Sequence, residues 1–125
     1  MLYAHTDKAG VVYYAKYLEF FEAARTEYLR ALGKSYADFE REGLLLTVVE
    51  AQCRYLAPAE YDDLLTVQTW IPRLRRTRID FAYRILRSNG TIVCEGSTVL
   101  ACLDAENREP RALPPEICAL IEGKV

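Results

Sequence analysis

The sequence predicts an α+β domain in which one long helix precedes a run of antiparallel strands. Apolar residues recur at three- and four-residue spacing over residues 16–32, the period of a helix with one buried stripe. From Leu44 onward the period changes to two, in four successive runs separated by Pro, Gly and Asn. The links between those runs are short, as suits strands that return antiparallel.

Each element follows from its residues. Residues 1–6 read as a short first strand, with Leu2, Ala4 and Thr6 alternating with Tyr3 and His5. In the helix, Tyr17, Phe20, Phe21, Ala24, Tyr28 and Leu32 form the apolar stripe. Leu18, Glu19, Glu22, Arg25, Glu27 and Arg30 fall largely off it. Gly33 supplies a stop, and the helix is about 25 Å long at the standard rise. Ser35, with Asp38 three residues on, starts a short second helix that Gly43 closes. Val49, Ala51, Cys53 and Tyr55 then alternate with Glu50, Gln52 and Arg54, and Pro58 ends that strand. Leu65, Val67, Thr69 and Ile71 alternate in the next, which Pro72 is expected to break. Ile79, Phe81, Tyr83 and Ile85 alternate in a third. Ser88-Asn89-Gly90 predicts a hairpin with positive φ at both central positions. A fourth strand covers residues 92–103, and Gly96 within it predicts a bulge or bend. Pro114-Pro115 opens a last short helix that Gly123 ends. These four strands are expected to form a meander, with one sheet face buried by the long helix.

Composition narrows the function classes. The 125 residues suit one domain over 1–125, and 51% hydrophobic content supplies a core. Sixteen Lys and Arg against 18 Asp and Glu leave a net charge of −2, without the basic excess of a nucleic-acid binder. No apolar run approaches the roughly 18 residues of a membrane span, and no basic-then-apolar leader opens the chain. Cys53, Cys94, Cys102 and Cys118 include no C-x-x-C pair, and His5 is the single histidine, so a zinc site is not expected. The cysteines read as reduced core residues of a cytoplasmic protein.

The candidate chemistry lies before the long helix. Asp7 precedes a glycine turn at Gly10 and the helix start. The positive end of the helix dipole would keep its carboxylate ionised, ready to attack a carbonyl or activate water. Unpaired N–H groups at the helix start could hold an oxyanion. Asp7 is equally a good cap, so spacing alone leaves both roles open. His5 would share a side with Asp7 on a regular strand. Glu22 is a second acidic candidate, on the helix; solvent exposure is its competing reading. Arg73, Arg75, Arg76 and Arg78 crowd one link, where forked donors could hold phosphate or form surface ion pairs.

The run Tyr3-Ala4-His5-Thr6-Asp7-Lys8-Ala9-Gly10-Val11-Val12-Tyr13-Tyr14-Ala15-Lys16-Tyr17 resembles the signature of the 4-hydroxybenzoyl-CoA thioesterase branch of hotdog-fold acyl-CoA thioesterases. Glu22-Ala23-Ala24-Arg25-Thr26-Glu27, Arg54-Tyr55-Leu56-Ala57-Pro58-Ala59 and Tyr61-Asp62-Asp63-Leu64-Leu65 are similar to later parts of that pattern, in the same order. The resemblance implies an antiparallel sheet of about five strands wrapped round one long helix. It implies homo-oligomers, dimers that often pair into tetramers, with sites at the dimer interface. It places the family's aspartate on Asp7, and the backbone N–H that polarises the thioester carbonyl on Tyr14, with that of Tyr13 beside it. Many relatives have histidine at the position of Tyr14, so the backbone role carries over and a side-chain role stays open. Arg75 and Arg76 fall where coenzyme A phosphates are held. Tyr13, Tyr17 and Phe21 would suit an aromatic or aliphatic acyl group. The short first strand departs from the pattern and implies a shorter edge.

The expectation is therefore an acyl-CoA thioesterase that uses neither metal nor cofactor. Two other readings of this fold are a dehydratase on hydroxyacyl thioesters, for which His5 is poorly positioned, and a non-catalytic acyl-CoA or acyl-carrier binding module.

Overall fold

The computed structural model of the protein describes residues 15–59 and 64–123. In chain order the elements are α1 (Ala15–Ala31), α2 (Tyr36–Arg41), β1 (Leu44–Tyr55), β2 (Leu65–Leu74), β3 (Arg78–Arg87), β4 (Ile92–Asp104) and α3 (Pro115–Glu122). About five strands were expected; the described residues hold four, and the strand expected over 1–6 lies outside them.

Helix α1 buries a strict four-residue row, Tyr17, Phe21, Arg25 and Leu29, the ridge that a helix presents to its neighbour. Its last turn closes through Gly33 N–H to the Arg30 carbonyl and Lys34 N–H to the Leu29 carbonyl, with Gly33 at φ +90°. Helix α2 starts with the capping box that its sequence implies. The Asp38 carboxylate accepts the Ser35 N–H at 2.8 Å, and the Ser35 hydroxyl accepts the Asp38 N–H at 3.2 Å.

The sheet is antiparallel throughout, in the order β1-β4-β3-β2. Only β2, β3 and β4 form the expected meander. β1 pairs with β4 instead of β2, so among the described strands β1 and β2 are the outer ones and their connection carries the chain from one side of these four strands to the other. That connection is anchored where Leu56 and Ala57 donate to the Val93 carbonyl, and by the buried Ala59. A long connection of this kind leaves no mark in the local alternation of either strand.

Three local expectations are corrected. Pro72 does not break β2; the strand continues to Leu74 past a register shift between Trp70 and Arg73. Proline is tolerated there because β2 is an edge among the described strands and no ladder donor is needed at the bulge. In the β3–β4 hairpin Gly90 alone has positive φ, at +89°, while Asn89 does not. Gly90 N–H bonds the Arg87 carbonyl at 2.9 Å, and Asn89 Oδ1 accepts the Thr91 N–H at 3.0 Å. A turn followed by one left-handed glycine satisfies the hairpin without a primed turn. Gly96 is neither bulge nor bend, because it stays in register with both Cys53 and Tyr83. It is glycine because the helix sits on it: a Cβ there would lie 2.5 Å from Phe21 Cε2 and 2.6 Å from the Gln52 carbonyl oxygen.

The core lies between α1 and one sheet face. Phe21 stacks on Tyr83 with centroids 4.3 Å apart, and Tyr28 meets Phe81 edge-on at 5.9 Å. Ile79, Phe81, Tyr83 and Ile85 of β3 are all buried, as their alternation implied. Burial of each such side chain contributes about 1.5–3 kcal/mol. β1 departs from the pattern: residues 47–52 are exposed on both faces, because α1 does not extend over this edge. Its outer edge has no pairing strand among the described residues.

Gly96→Ala is expected to cost about 3 kcal/mol by overpacking, read from urea unfolding. Phe21→Leu in the same chain should recover part of that loss, as expected for a coupled pair. A second expectation concerns acid. The Ser35 backbone N–H, followed by the Ser35 hydroxyl and Arg41, holds the Asp38 pKa below its ordinary value. Its stabilisation is therefore present above about pH 4 and is lost as pH falls through the depressed folded value. Asp38→Asn should lower the urea midpoint at pH 7 and change it far less at pH 3.

Candidate active site

Helix α1 is described from Ala15 onward, and no acidic residue stands in the first turn described. An anion held at a helix N-terminus meets the positive end of the helix dipole. Asp7, Gly10, Tyr13, Tyr14 and His5 lie outside the described residues.

The remaining sequence candidates fall in distinct places. Tyr17 is buried in the core, its ring 5.6 Å from that of Tyr55 and 6.1 Å from that of Phe20. Phe21 is buried too, and neither ring lines either of the two cavities beside the helix. On the β2 flank of α1 an apolar groove of about 670 Å³ opens, lined among others by Phe20, Ala24, Tyr28 and Val67. Its volume falls in the range of small-molecule sites. Glu22 is exposed and lies on the other flank, at a cavity of about 300 Å³ shared with Arg25, Tyr36, Glu40 and the first half of β1.

The arginine cluster separates into two kinds. Arg75 is half-buried and ion-paired to Asp80, while Arg76 is exposed beside it. The loop is fixed by its backbone: Arg75 N–H bonds the Arg78 carbonyl, and the Arg76 carbonyl accepts from Leu113 N–H, each at 2.9 Å. Arg76 is thus the cation of the pair presented to solvent from a rigid support.

Arg25 is the residue that stripe counting missed. It was placed off the apolar face, yet only 8% of it is exposed. Its Nε donates to the Tyr36 hydroxyl at 3.1 Å. Burial opposes its charge, but hydrogen bonding to the Tyr83 and Tyr36 hydroxyls outweighs that and raises its pKa. Tyr83 in turn shares a buried 2.6 Å hydrogen bond with Thr98. The signal was available: Arg25 lies four residues after Phe21 and four before Leu29, in the row that is buried.

The four cysteines are free thiols. Cys53 and Cys94 sulfurs lie 3.2 Å apart, and burial first, then the Cys53 contact, pushes the Cys94 thiol up. A thiol so protonated is a poor nucleophile. Among the described residues no group of His, Cys, Asp and Glu could hold a metal ion, and no helix is long and apolar enough to cross a membrane.

Comparison with known proteins adds what the geometry alone does not. The profile of the thioesterase-like superfamily matches residues 2–121. The acyl-CoA thioester hydrolase YbgC of Escherichia coli O6:H1 is 39% identical over 117 residues, covering 94% of this chain and 87% of its own. The acyl-CoA thioesterase YbgC of Haemophilus influenzae is 39% identical over 118 residues, covering 94% and 86%. The solved structure of a DHNA-CoA thioesterase from Staphylococcus aureus superposes with a TM-score of 0.92 at 32% identity, covering 98% of this chain and 85% of that one. A helix-on-antiparallel-sheet architecture with these neighbours is the hotdog fold. With a match that spans nearly its whole length, the chain belongs to the thioesterase-like superfamily.

Proposed function

We propose that this protein is an acyl-CoA thioesterase, hydrolysing the thioester of an acyl-coenzyme A to free acid and coenzyme A. One observation carries the reading: relatives named as acyl-CoA thioester hydrolases align with 94% of the chain at 39% identity.

The chemistry follows from the residues. Asp7 acts as nucleophile, giving a mixed anhydride that water opens, or as general base that removes a proton from the attacking water. In either case a tetrahedral oxyanion forms at the thioester carbon and collapses with loss of the coenzyme A thiolate. The backbone N–H of Tyr14, with that of Tyr13, donates to that oxyanion, and Gly10 allows the turn that brings Asp7 there. The long helix that follows this segment supports the assignment, because donors at a helix start lack intrahelical acceptors. The reaction needs water and no cofactor. Arg76 and Arg75 hold coenzyme A phosphate, Arg76 chiefly, since Arg75 already serves Asp80. Tyr17 supports the helix from the core rather than touching the acyl group, and Glu22 belongs to the opposite flank. The protein acts as a homo-oligomer, dimer or tetramer, in the cytoplasm; the exposed β1 edge supports association.

Asp7→Asn is expected to lower kcat/KM at least about a hundredfold across a panel of acyl-CoA esters; near wild-type turnover would remove the catalytic role. Arg76→Ala should raise KM for coenzyme A esters by about tenfold, Arg75→Ala by less. Thioesters that lack the nucleotide should be unaffected, and an equal effect on both substrate kinds would argue against phosphate contact.

A further inference from the structure

Two of the four thiols are already in contact. Cys53 of β1 and Cys94 of β4 stand 41 positions apart in the chain, and their sulfurs lie 3.2 Å apart. The strand register puts Cys94 opposite Tyr55 and Cys53 opposite Gly96. The two cysteines are therefore diagonal neighbours on one face of the sheet. The twist of a strand pair closes one diagonal and opens the other, and the sulfur contact marks this one as closed. Disulfide sulfurs are about 2.05 Å apart, so a bond here needs an approach of about 1 Å.

The two thiols differ in access. Cys53 is half-buried and borders a cavity of about 200 Å³ with Gln52, Arg54, Glu95 and Ser97, whereas Cys94 is fully buried. A reagent from solvent meets Cys53 first. Burial, and then the Cys53 contact, keeps Cys94 protonated, so it acts second, on a sulfur that it already touches. One accessible sulfur beside one resolving sulfur is the arrangement of a reversible thiol couple.

The position of the pair connects it to the long helix. Gly96, opposite Cys53, is the site on which Phe21 of α1 is seated. The Tyr55 hydroxyl is hydrogen-bonded to Cys53, and the Tyr55 ring lies 5.6 Å from that of Tyr17 in α1. A change at the Cys53 sulfur is therefore felt by a ring that packs on the buried row of the helix.

We propose that Cys53 and Cys94 form a reversible dithiol–disulfide couple, closed by oxidised glutathione. The Cys53 thiolate attacks one sulfur of oxidised glutathione, which gives a mixed disulfide and releases one glutathione thiolate. Cys94 then loses its proton to solvent, attacks the Cys53 sulfur and expels the second glutathione thiolate. The protein gives up two protons and two electrons, and oxidised glutathione becomes two molecules of glutathione. Sulfur contact makes the second step intramolecular, which offsets the small thiolate fraction of Cys94. Excess glutathione runs both steps in reverse. The couple is independent of the hydrolytic reading above.

Glutathione buffers of stepped oxidation test it on the folded full chain, with acid quenching, alkylation in denaturant and peptide mapping by mass spectrometry. The wild type is expected to form a bond between residues 53 and 94, to keep Cys102 and Cys118 alkylated, and to reopen in excess glutathione. Its oxidised form should have the higher urea midpoint, because the bond closes a long loop. Cys94→Ala, which keeps a small apolar group at the buried position, should hold glutathione on Cys53 at about tenfold or more the wild-type level. Cys53→Ser, at the half-buried position, should form neither the adduct nor the bond; far-UV circular dichroism checks that each variant is folded. A wild type that forms no bond at any ratio, that keeps a lasting glutathione adduct on Cys53, or that forms its bond only in urea overturns the couple. So does a bond to Cys102 or Cys118 in its place.

Discussion

The depth at which the long helix sits on the sheet depends on a missing side chain. Gly96 leaves room for the Phe21 ring where any Cβ would be 2.5 Å from it. With that ring seated, Phe21 stacks on Tyr83, and the buried row Tyr17-Phe21-Arg25-Leu29 is set against the sheet. Protein interiors are close-packed, so a shift here would be transmitted along the helix rather than absorbed locally. The placement of Arg25 inherits this one contact.

The same seating gives α1 two unlike flanks. Toward β2 the helix borders an apolar groove of about 670 Å³, lined in part by Phe20 and Tyr28. Toward β1 it presents a cation held by two tyrosine hydroxyls, the inner one bonded to Thr98. A buried polar chain of this kind tolerates no loose member, because each donor left unpaired in low dielectric is costly. The superfamily relationship gives the class of the chain, and the geometry gives the two flanks of its helix their different character.

Much of this was legible along the chain. The C-terminal limit of α1, the limits of α2, the capping box at Ser35 and the buried alternation of β3 all follow from residues within one or two turns of each other. The Asp7 to Tyr14 segment was legible as a motif, although its residues fall outside the described structure. Arg25 was misplaced because a charged residue was taken as marking the solvent side, when the four-residue row on which it lies is the buried one. Arg75 and Arg76 looked equivalent in sequence and differ because only Arg75 meets Asp80, five residues on, across the turn.

The sequence by itself determined the element types, most of their boundaries and the family-bearing motif, since these depend on hydrogen bonds and side-chain periodicity between near neighbours. Only the tertiary structure decided that β1 pairs with β4, that Gly96 serves the helix rather than a bend, and that Pro72 lies inside a strand. It also decided that the Arg25 charge is turned inward. Each of these depends on which surfaces, distant along the chain, come to lie against one another, and the period of a single element does not name its neighbour.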